Sequence, residues 1–256
     1  MILALLNVVL LLLTTRFMGA EAKGEISLLV LNFSLGTLMA GFFGGPALVY
    51  LTPRLNNLSM LIINMLWSAM VLSGFTLFLH AFDLLSIVPI RFLRMALLES
   101  FIATTLMILL GQNNLRWHNV MLVIKALLTV VIIAVFVNNT QMHFELFVNA
   151  FDASLIVCSL LSVVLLMKGI KLRAEVESTN LYGLIRQMWH YGFLVQSGNI
   201  AQLLNYRLSY YALELIISPP QLALIRIGIY SAAIQVSEAI WQFTRSVSTV
   251  QYAAVS

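Results

Sequence analysis

The side chains of this chain that could do chemistry are polar and charged residues standing inside long apolar segments. The clearest set recurs at steps of four and three residues and comprises Ser231, Gln235, Glu238, Gln242, Arg245 and Thr249. At 100° per residue these positions share one narrow face of a helix. This spacing predicts a membrane helix whose polar face meets water or a polar partner helix. The alternative is an amphipathic helix on the membrane surface, which the length of the segment and its scarcity of Lys and Arg disfavour.

A second set of charges interrupts two neighbouring apolar segments. Arg91, Arg94 and Glu99 precede the turn at 112–116, and Lys125 follows it. A helix rises 1.5 Å per residue, so two antiparallel helices would place Glu99 and Lys125 at depths that differ by about 6 Å. A structural Glu99–Lys125 ion pair is therefore predicted. Arg91 and Arg94 have no evident partner, and they either reach the interface along their apolar stems or present positive charge to an anionic substrate.

A third segment, residues 182–217, carries amides and tyrosines at helical spacing. In it Arg207 and Glu214 are seven residues apart and share a face. Hydrogen bonding between helices and the lining of a lumen both explain this pattern. The candidates for a substrate cavity are Arg91, Arg94, Arg207, Gln235, Glu238, Gln242 and Arg245.

Motifs for other chemistry are missing from the sequence. It has no Gly-x-x-x-x-Gly-Lys loop, no His-Glu-x-x-His and a single cysteine, so neither a metal nor any cofactor is predicted. The four histidines stand at the ends of apolar segments and are interpreted as interfacial side chains. The formal net charge of +4 comes without a run of Lys and Arg, which disfavours nucleic acid as a partner.

The elements that must position these side chains are membrane helices. Hydrophobic residues make up 61% of the chain and charged residues 9%, whereas soluble domains carry roughly 25% charged residues. Apolar segments of membrane length predict eight spans, at 1–15, 25–51, 59–82, 89–110, 117–137, 147–167, 182–217 and 222–250. The seventh is too long for one straight crossing, so residues 181–190 are predicted to form an interfacial turn of helix. The predicted fold class is an all-α, polytopic transmembrane helix bundle.

Charges between the spans predict the orientation. With the N-terminus inside, the cytoplasmic loops hold Arg54, Arg116, Lys168, Lys171, Arg173 and Arg186. The outer side then holds Arg16 and Lys23, together with Arg226 just inside the eighth span. Because Lys and Arg concentrate in cytoplasmic loops, the N-terminus is predicted to face the cytoplasm.

Two stretches carry a family resemblance. One is Arg16-Phe17-Met18-Gly19 followed by Gly24, and the other runs from Tyr206-Arg207 through Gly228-Ile229-Tyr230-Ser231 to Glu238 and Trp241. They resemble "R-x-L-G-x-x-x-x-G" at the start of the second helix, and "Y-R-x-D … G-I-Y-S-x-A … x-E-x-x-W" at the start of the second lobe, of Wzx-type polysaccharide and O-antigen flippases. These belong to the multidrug/oligosaccharidyl-lipid/polysaccharide exporter superfamily. Ser209 departs from the pattern, because the family often has Asp there.

The resemblance implies a non-enzymatic transporter with two six-helix lobes and alternating access. Residues 1–178 would form the first lobe, and residues 179–256 would begin a second lobe that this chain carries only in part. The implied substrate is an undecaprenyl-diphosphate-linked oligosaccharide, moved to the outer leaflet of the bacterial inner membrane. The implied partners are this lipid-linked oligosaccharide, membrane lipids and the polysaccharide-assembly machinery, and basic cavity residues would suit the diphosphate.

Two other functions stay open from the residues alone. A cation-coupled multidrug exporter of the same fold would be expected to hold a buried carboxylate in its first lobe, where the first span offers only Asn7. A membrane-embedded sugar or acyl transferase would be expected to hold a cluster of carboxylates or histidines in a loop. The loops predicted here are short and poor in both.

Overall fold

The computed structural model describes residues 2–53, 57–137, 143–169 and 181–255, and it describes the backbone alone at 46, 168, 169, 181 and 239–255. This part of the chain forms nine helices and no strand, which confirms the all-α fold class. The helices are α1 Ile2–Phe17, α2 Gly19–Ala40, α3 Gly45–Leu51, α4 Asn57–Ala81, α5 Pro89–Gly111, α6 Leu115–Phe136, α7 His143–Gly169, α8 Leu181–Ile216 and α9 Pro220–Val255. The side chains of Arg54, Lys168, Lys171 and Arg173, and the predicted lobe boundary at 178, lie outside the described residues.

Four of the helices, α4 to α7, are long and apolar enough to cross a membrane. The exposure pattern of α4 shows what surrounds such a helix. Leu66 and Leu77 are 68% and 67% exposed, whereas Asn64 and Ser68 are 2% and 0% exposed. A helix in water would hide its leucines and expose its amide and hydroxyl groups. The reversed pattern identifies a membrane protein, since lipid accepts apolar side chains and excludes unpaired polar groups.

The second predicted span is not one continuous helix, so this prediction is wrong. Residues 25–51 were expected to form one helix, but turns at 41–44 separate α2 from α3. Gly45 has a φ of +52°, a left-handed conformation that a side chain would strain. The backbone freed by the break still finds partners, since the indole Nε1 of Trp67 donates to the carbonyl of Met39 at 3.3 Å. Such interruptions are tolerated in membrane helices only where other groups satisfy the backbone.

The seventh predicted span is one continuous helix. α8 covers 36 residues without a turn after residue 190, and at 1.5 Å per residue it is about 54 Å long. A hydrocarbon core is roughly 30 Å thick, so a straight helix of this length is longer than one crossing requires, and α8 is not among the four candidate spans of the described residues. Residues 181–190, predicted to form an interfacial turn of helix, are helical and form the first part of α8.

Two compact units divide the chain, each built from separated segments. Unit 1 comprises residues 1–28, 126–151 and 209–256. Unit 2 comprises residues 29–125 and 152–208. In unit 2, α5 packs on α3 and on α4, around a core that includes Phe43, Leu48, Met60, Ile108 and Met188.

Unit 1 is held by a close crossing of the first part of α2 with α9. A methyl group at Gly24 would overlap the carbonyl of Leu224, and one at Gly228 would overlap the carbonyl of Ala20. The two glycines thus let the helix backbones touch. Lipid tails are as apolar as leucine side chains, so dispersion contacts of this kind replace the hydrophobic effect as the force that holds membrane helices together.

Candidate functional site

The middle of α5 and the middle of α6 are joined by an ion pair. Lys125 Nζ donates to Glu99 Oε1 at 2.5 Å, and the two side chains are only 24% and 20% exposed. The structure therefore brings together the two residues whose pairing was predicted from the rise per residue of a helix. Glu99 Oε2 is buried and accepts no hydrogen bond from the part of the chain that is described. A charged pair this far inside two apolar helices is costly unless both members are compensated.

The two arginines of α5 share one carboxylate that the sequence analysis did not propose. Arg94 donates from Nη2 to Asp152 Oδ2 on α7, and Arg91 Nε lies 3.9 Å from the same oxygen. Asp152 is 11% exposed, but Arg94 remains 54% exposed. The guanidinium carries five N–H donors, so Arg94 can bind Asp152 and still present donors and positive charge to an anion.

A ladder of neutral hydrogen bonds fastens α5 to α4. Ser100 Oγ donates to Ser68 Oγ at 2.7 Å, and Asn64 Nδ2 donates to Thr104 Oγ1 at 2.5 Å. All four side chains are buried. α5 thus turns hydroxyl groups toward α4 and carries, on other positions, the charged groups that pair with α6 and α7.

In unit 1 a buried lysine of α2 lies between side-chain oxygens of α1 and α9. Lys23 is 4% exposed, and its Nζ donates to Gln235 Oε1 at 2.9 Å and to Thr14 Oγ1 at 3.2 Å. One turn further along α2, Ser27 Oγ donates to Ser231 Oγ at 2.8 Å. The prediction that Lys23 lies in an outer loop is therefore wrong, because α2 begins at Gly19 and carries this lysine inward.

The predicted polar stripe of α9 is partly described. Its Ser231 and Gln235 contact polar side chains of α2. A polar partner helix was one of the two predicted environments of the stripe, and water was the other. Glu238 is partly buried on the same helix, and Arg207 is partly buried on α8. The side chains of Gln242 and Arg245 lie outside the described residues, although their backbone belongs to α9.

The sequence analysis did not single out Asp152 and placed Lys23 in a loop, although the sequence held a signal for each. Asp152 is the one acidic residue in the apolar stretch 147–167, and an ionisable group in such a stretch is a site candidate by default. Lys23 lies between Ala20 and Gly24, a small-x-x-x-small pattern that indicates close helix packing. What the sequence could not supply was the partner of each side chain.

The described residues define a class, an all-α membrane protein with ion pairs inside its apolar helices. Among them no three His, Cys, Asp or Glu side chains are grouped as metal ligands would be. Comparisons with protein-family models, with curated proteins and with solved structures found no match.

Proposed function

We propose that the protein is a flippase that moves an undecaprenyl-diphosphate-linked oligosaccharide from the cytoplasmic to the outer leaflet of the bacterial inner membrane. The observation that carries the proposal is the Arg94–Asp152 contact. It holds a half-exposed guanidinium within an apolar helix, next to a carboxylate that is almost fully covered. Membrane helices rarely retain such charges unless they serve a substrate or ion pathway.

The chemistry of the substrate fits this cation. A diphosphate presents several anionic oxygens, which guanidinium groups bind through paired, charge-assisted hydrogen bonds. Asp152 fixes the direction of the Arg94 side chain and so lowers the entropy lost when an anion binds. The resemblance of two stretches to polysaccharide flippases supports the same substrate class, and the distribution of loop cations supports the orientation.

One observation favours a second candidate, a cation-coupled multidrug exporter. Asp152 and Glu99 are buried carboxylates within what would be the first lobe, and each has one oxygen without a hydrogen bond among the described residues. A coupling cation could bind such an oxygen. In that case Asp152 would bind the coupling cation, and Arg94 would compete with the cation for the carboxylate.

Complementation separates the two candidates. The protein would be expressed in a bacterial strain that lacks its own flippase, and surface polysaccharide would be measured together with resistance to cationic drugs. The flippase proposal expects polysaccharide to return and drug resistance to stay unchanged. If the protein is present in the membrane and only drug resistance changes, the exporter is supported and the flippase proposal fails.

Charge exchange tests the role of the arginine. Arg94→Gln is expected to reduce surface polysaccharide at least tenfold, whereas Arg116→Gln, at an exposed arginine of α6, should have little effect. The double variant Arg94→Asp with Asp152→Arg keeps an ion pair between α5 and α7. A substrate contact predicts normal membrane levels of this double variant without transport. Recovery of transport by the exchange would instead indicate a purely structural pair.

A further inference from the structure

A pocket of about 870 Å³ lies in unit 2, where α3 ends and α8 begins. Its volume is within the range of roughly 300–1,000 Å³ typical of small-molecule sites. The lining combines aromatic rings with polar side chains, and neither part belongs to the ion pairs of α5, α6 and α7.

The aromatic part of the lining is held in place from behind. The ring of Trp189 packs on Phe42, Phe43, Trp67 and Phe193, at centroid distances of 5.4 to 5.8 Å. It nevertheless remains 40% exposed. Also in the lining, the rings of Tyr50 and Tyr191 are in contact, with centroids 4.5 Å apart and their planes tilted by 37°, and each residue is 41% exposed. The pocket thus offers rigid ring surfaces, which bind a ligand at low cost in side-chain entropy.

The polar part consists of Arg186, Gln187 and His190, which follow one another along the exposed side of α8. None of the three makes a hydrogen bond or ion pair within the described part of the chain. The next residues of α8, Phe193 to Val195, are apolar and 43% to 69% exposed. Exposed polar and exposed apolar side chains thus adjoin along α8, as expected of a segment at the depth where lipid headgroups meet water.

We propose that this pocket binds a phosphorylated sugar, and that it receives the headgroup of the transported lipid before the headgroup crosses the membrane. The second part rests on the proposed function. Arg186 would bind the phosphate. The C–H face of a sugar ring carries partial positive charge and would stack on the negative face of Trp189 or Tyr50. Gln187 and His190 would hydrogen-bond the hydroxyl groups.

An ordinary aromatic belt does not explain this arrangement as well. Belt residues ring a membrane protein at headgroup level, but they need not line a pocket together with three polar side chains that have no hydrogen-bond partner among the described residues. With the predicted orientation, the end of α3 and the start of α8 face the cytoplasm, the side from which a lipid-linked sugar would be loaded.

Binding would be measured on the whole purified protein in nanodiscs of neutral lipid, by calorimetric titration. The probes are a soluble hexose 1-phosphate, inorganic phosphate, the free hexose and a polyprenyl-diphosphate-linked sugar. We expect hexose 1-phosphate to bind at least tenfold more tightly than phosphate or hexose alone, and the lipid-linked sugar to compete with it. Arg186→Gln should weaken hexose 1-phosphate at least tenfold, and Arg116→Gln should not.

Filling the pocket gives a test that does not depend on charge. A Cβ atom added at Gly183 would meet no atom within 4 Å, and Gly183 lines the pocket, so Gly183→Leu should fold normally while its side chain occupies the pocket. Gly198 lies on the same helix, is equally open and is not part of the lining. Gly183→Leu is expected to abolish binding, and Gly198→Leu to leave it unchanged.

The outcomes separate this proposal from the proposed function. If hexose 1-phosphate does not bind, or binds equally well to the Gly183→Leu protein, the pocket is not a sugar phosphate site. If the lipid-linked sugar fails to compete, the pocket does not receive the transported lipid. Restored surface polysaccharide with the Gly183→Leu protein would show that the pocket does not receive the transported lipid, whereas the flippase proposal would remain supported. If the unaltered protein binds hexose 1-phosphate but restores no surface polysaccharide, the sugar phosphate site is supported and the flippase proposal fails.

Discussion

Two kinds of contact hold the helices of the two compact units together: close glycine crossings, as at Gly228 in unit 1 and at Gly192 in unit 2, and polar contacts, which occur in both units. In unit 1, α2 and α9 meet at glycines that bring backbone against backbone. In unit 2, α5 is joined to α4 by hydroxyl and amide groups and to α6 and α7 by ion pairs. Both solutions suit a lipid environment, where burying apolar surface between helices gains little. They differ in tolerance, because a backbone crossing admits no added atom, whereas a polar contact admits any side chain that restores its charge or hydrogen bond.

The ion pair in the middle of unit 2 should respond most strongly when it loses one member. Lys125→Met leaves the Glu99 carboxylate without its partner, and breaking a buried pair costs roughly 3–5 kcal/mol. We expect the lower end of this range, because the two side chains are only partly buried. The free energy of unfolding would be measured by SDS titration in mixed micelles.

The double variant Glu99→Gln with Lys125→Met is the control for this prediction, because it removes both charges. Its stability should return most of the way to that of the unaltered protein. Equal losses in the single and double variants would mean that the lost contacts of the lysine stem, and not its charge, explain the effect.

The glycine crossing of unit 1 should be the next most sensitive feature. Gly228→Ala places a methyl group onto the carbonyl of Ala20, and overpacking of this kind costs roughly 1–3 kcal/mol. The matched control is Gly74→Ala in α4, where an added methyl group meets no atom within 4 Å. Thermal unfolding in detergent should show a lower midpoint for Gly228→Ala and an equal or higher midpoint for Gly74→Ala. Equal midpoints for both variants would show that α2 and α9 are not in close contact.

The hydroxyl ladder between α4 and α5 should give the smallest effect. Hydrogen bonds between membrane helices are worth about 0.6 kcal/mol on average. A double-mutant cycle with Ser68→Ala and Ser100→Ala should therefore return a coupling energy near that value. A coupling energy of several kcal/mol would place this ladder among the main supports of unit 2, and one of zero would remove it from them.

The comparison also shows how far sequence reasoning reached. The pairing of Glu99 with Lys125 followed from helix rise alone, because the number of residues between each of them and the same short turn is known from the sequence. Asp152 could not be paired in that way with Arg94. Its helix is not connected to α5 by a short turn, so no count of residues relates the depths of the two side chains.

The break between α2 and α3 shows a similar limit. The sequence shows Gly41, Gly44 and Gly45, but glycines at these positions are compatible both with close packing of one continuous helix and with an interruption of that helix. The interruption is stable because Trp67 of α4 accommodates a freed carbonyl. Whether such a partner is present is decided by helices distant in sequence.

The sequence by itself determined the class of this protein, because few charges and long apolar segments leave a chain no stable place except a membrane. It also determined where most helices begin and end, since those limits depend on local turn residues. Only the tertiary structure decided which polar groups face one another: that Lys23 is buried, that two arginines share Asp152, and that α3 and α8 enclose a pocket. Hydrogen bonds and ion pairs between helices depend on the rotation and depth of each helix, and packing sets these quantities across the whole chain.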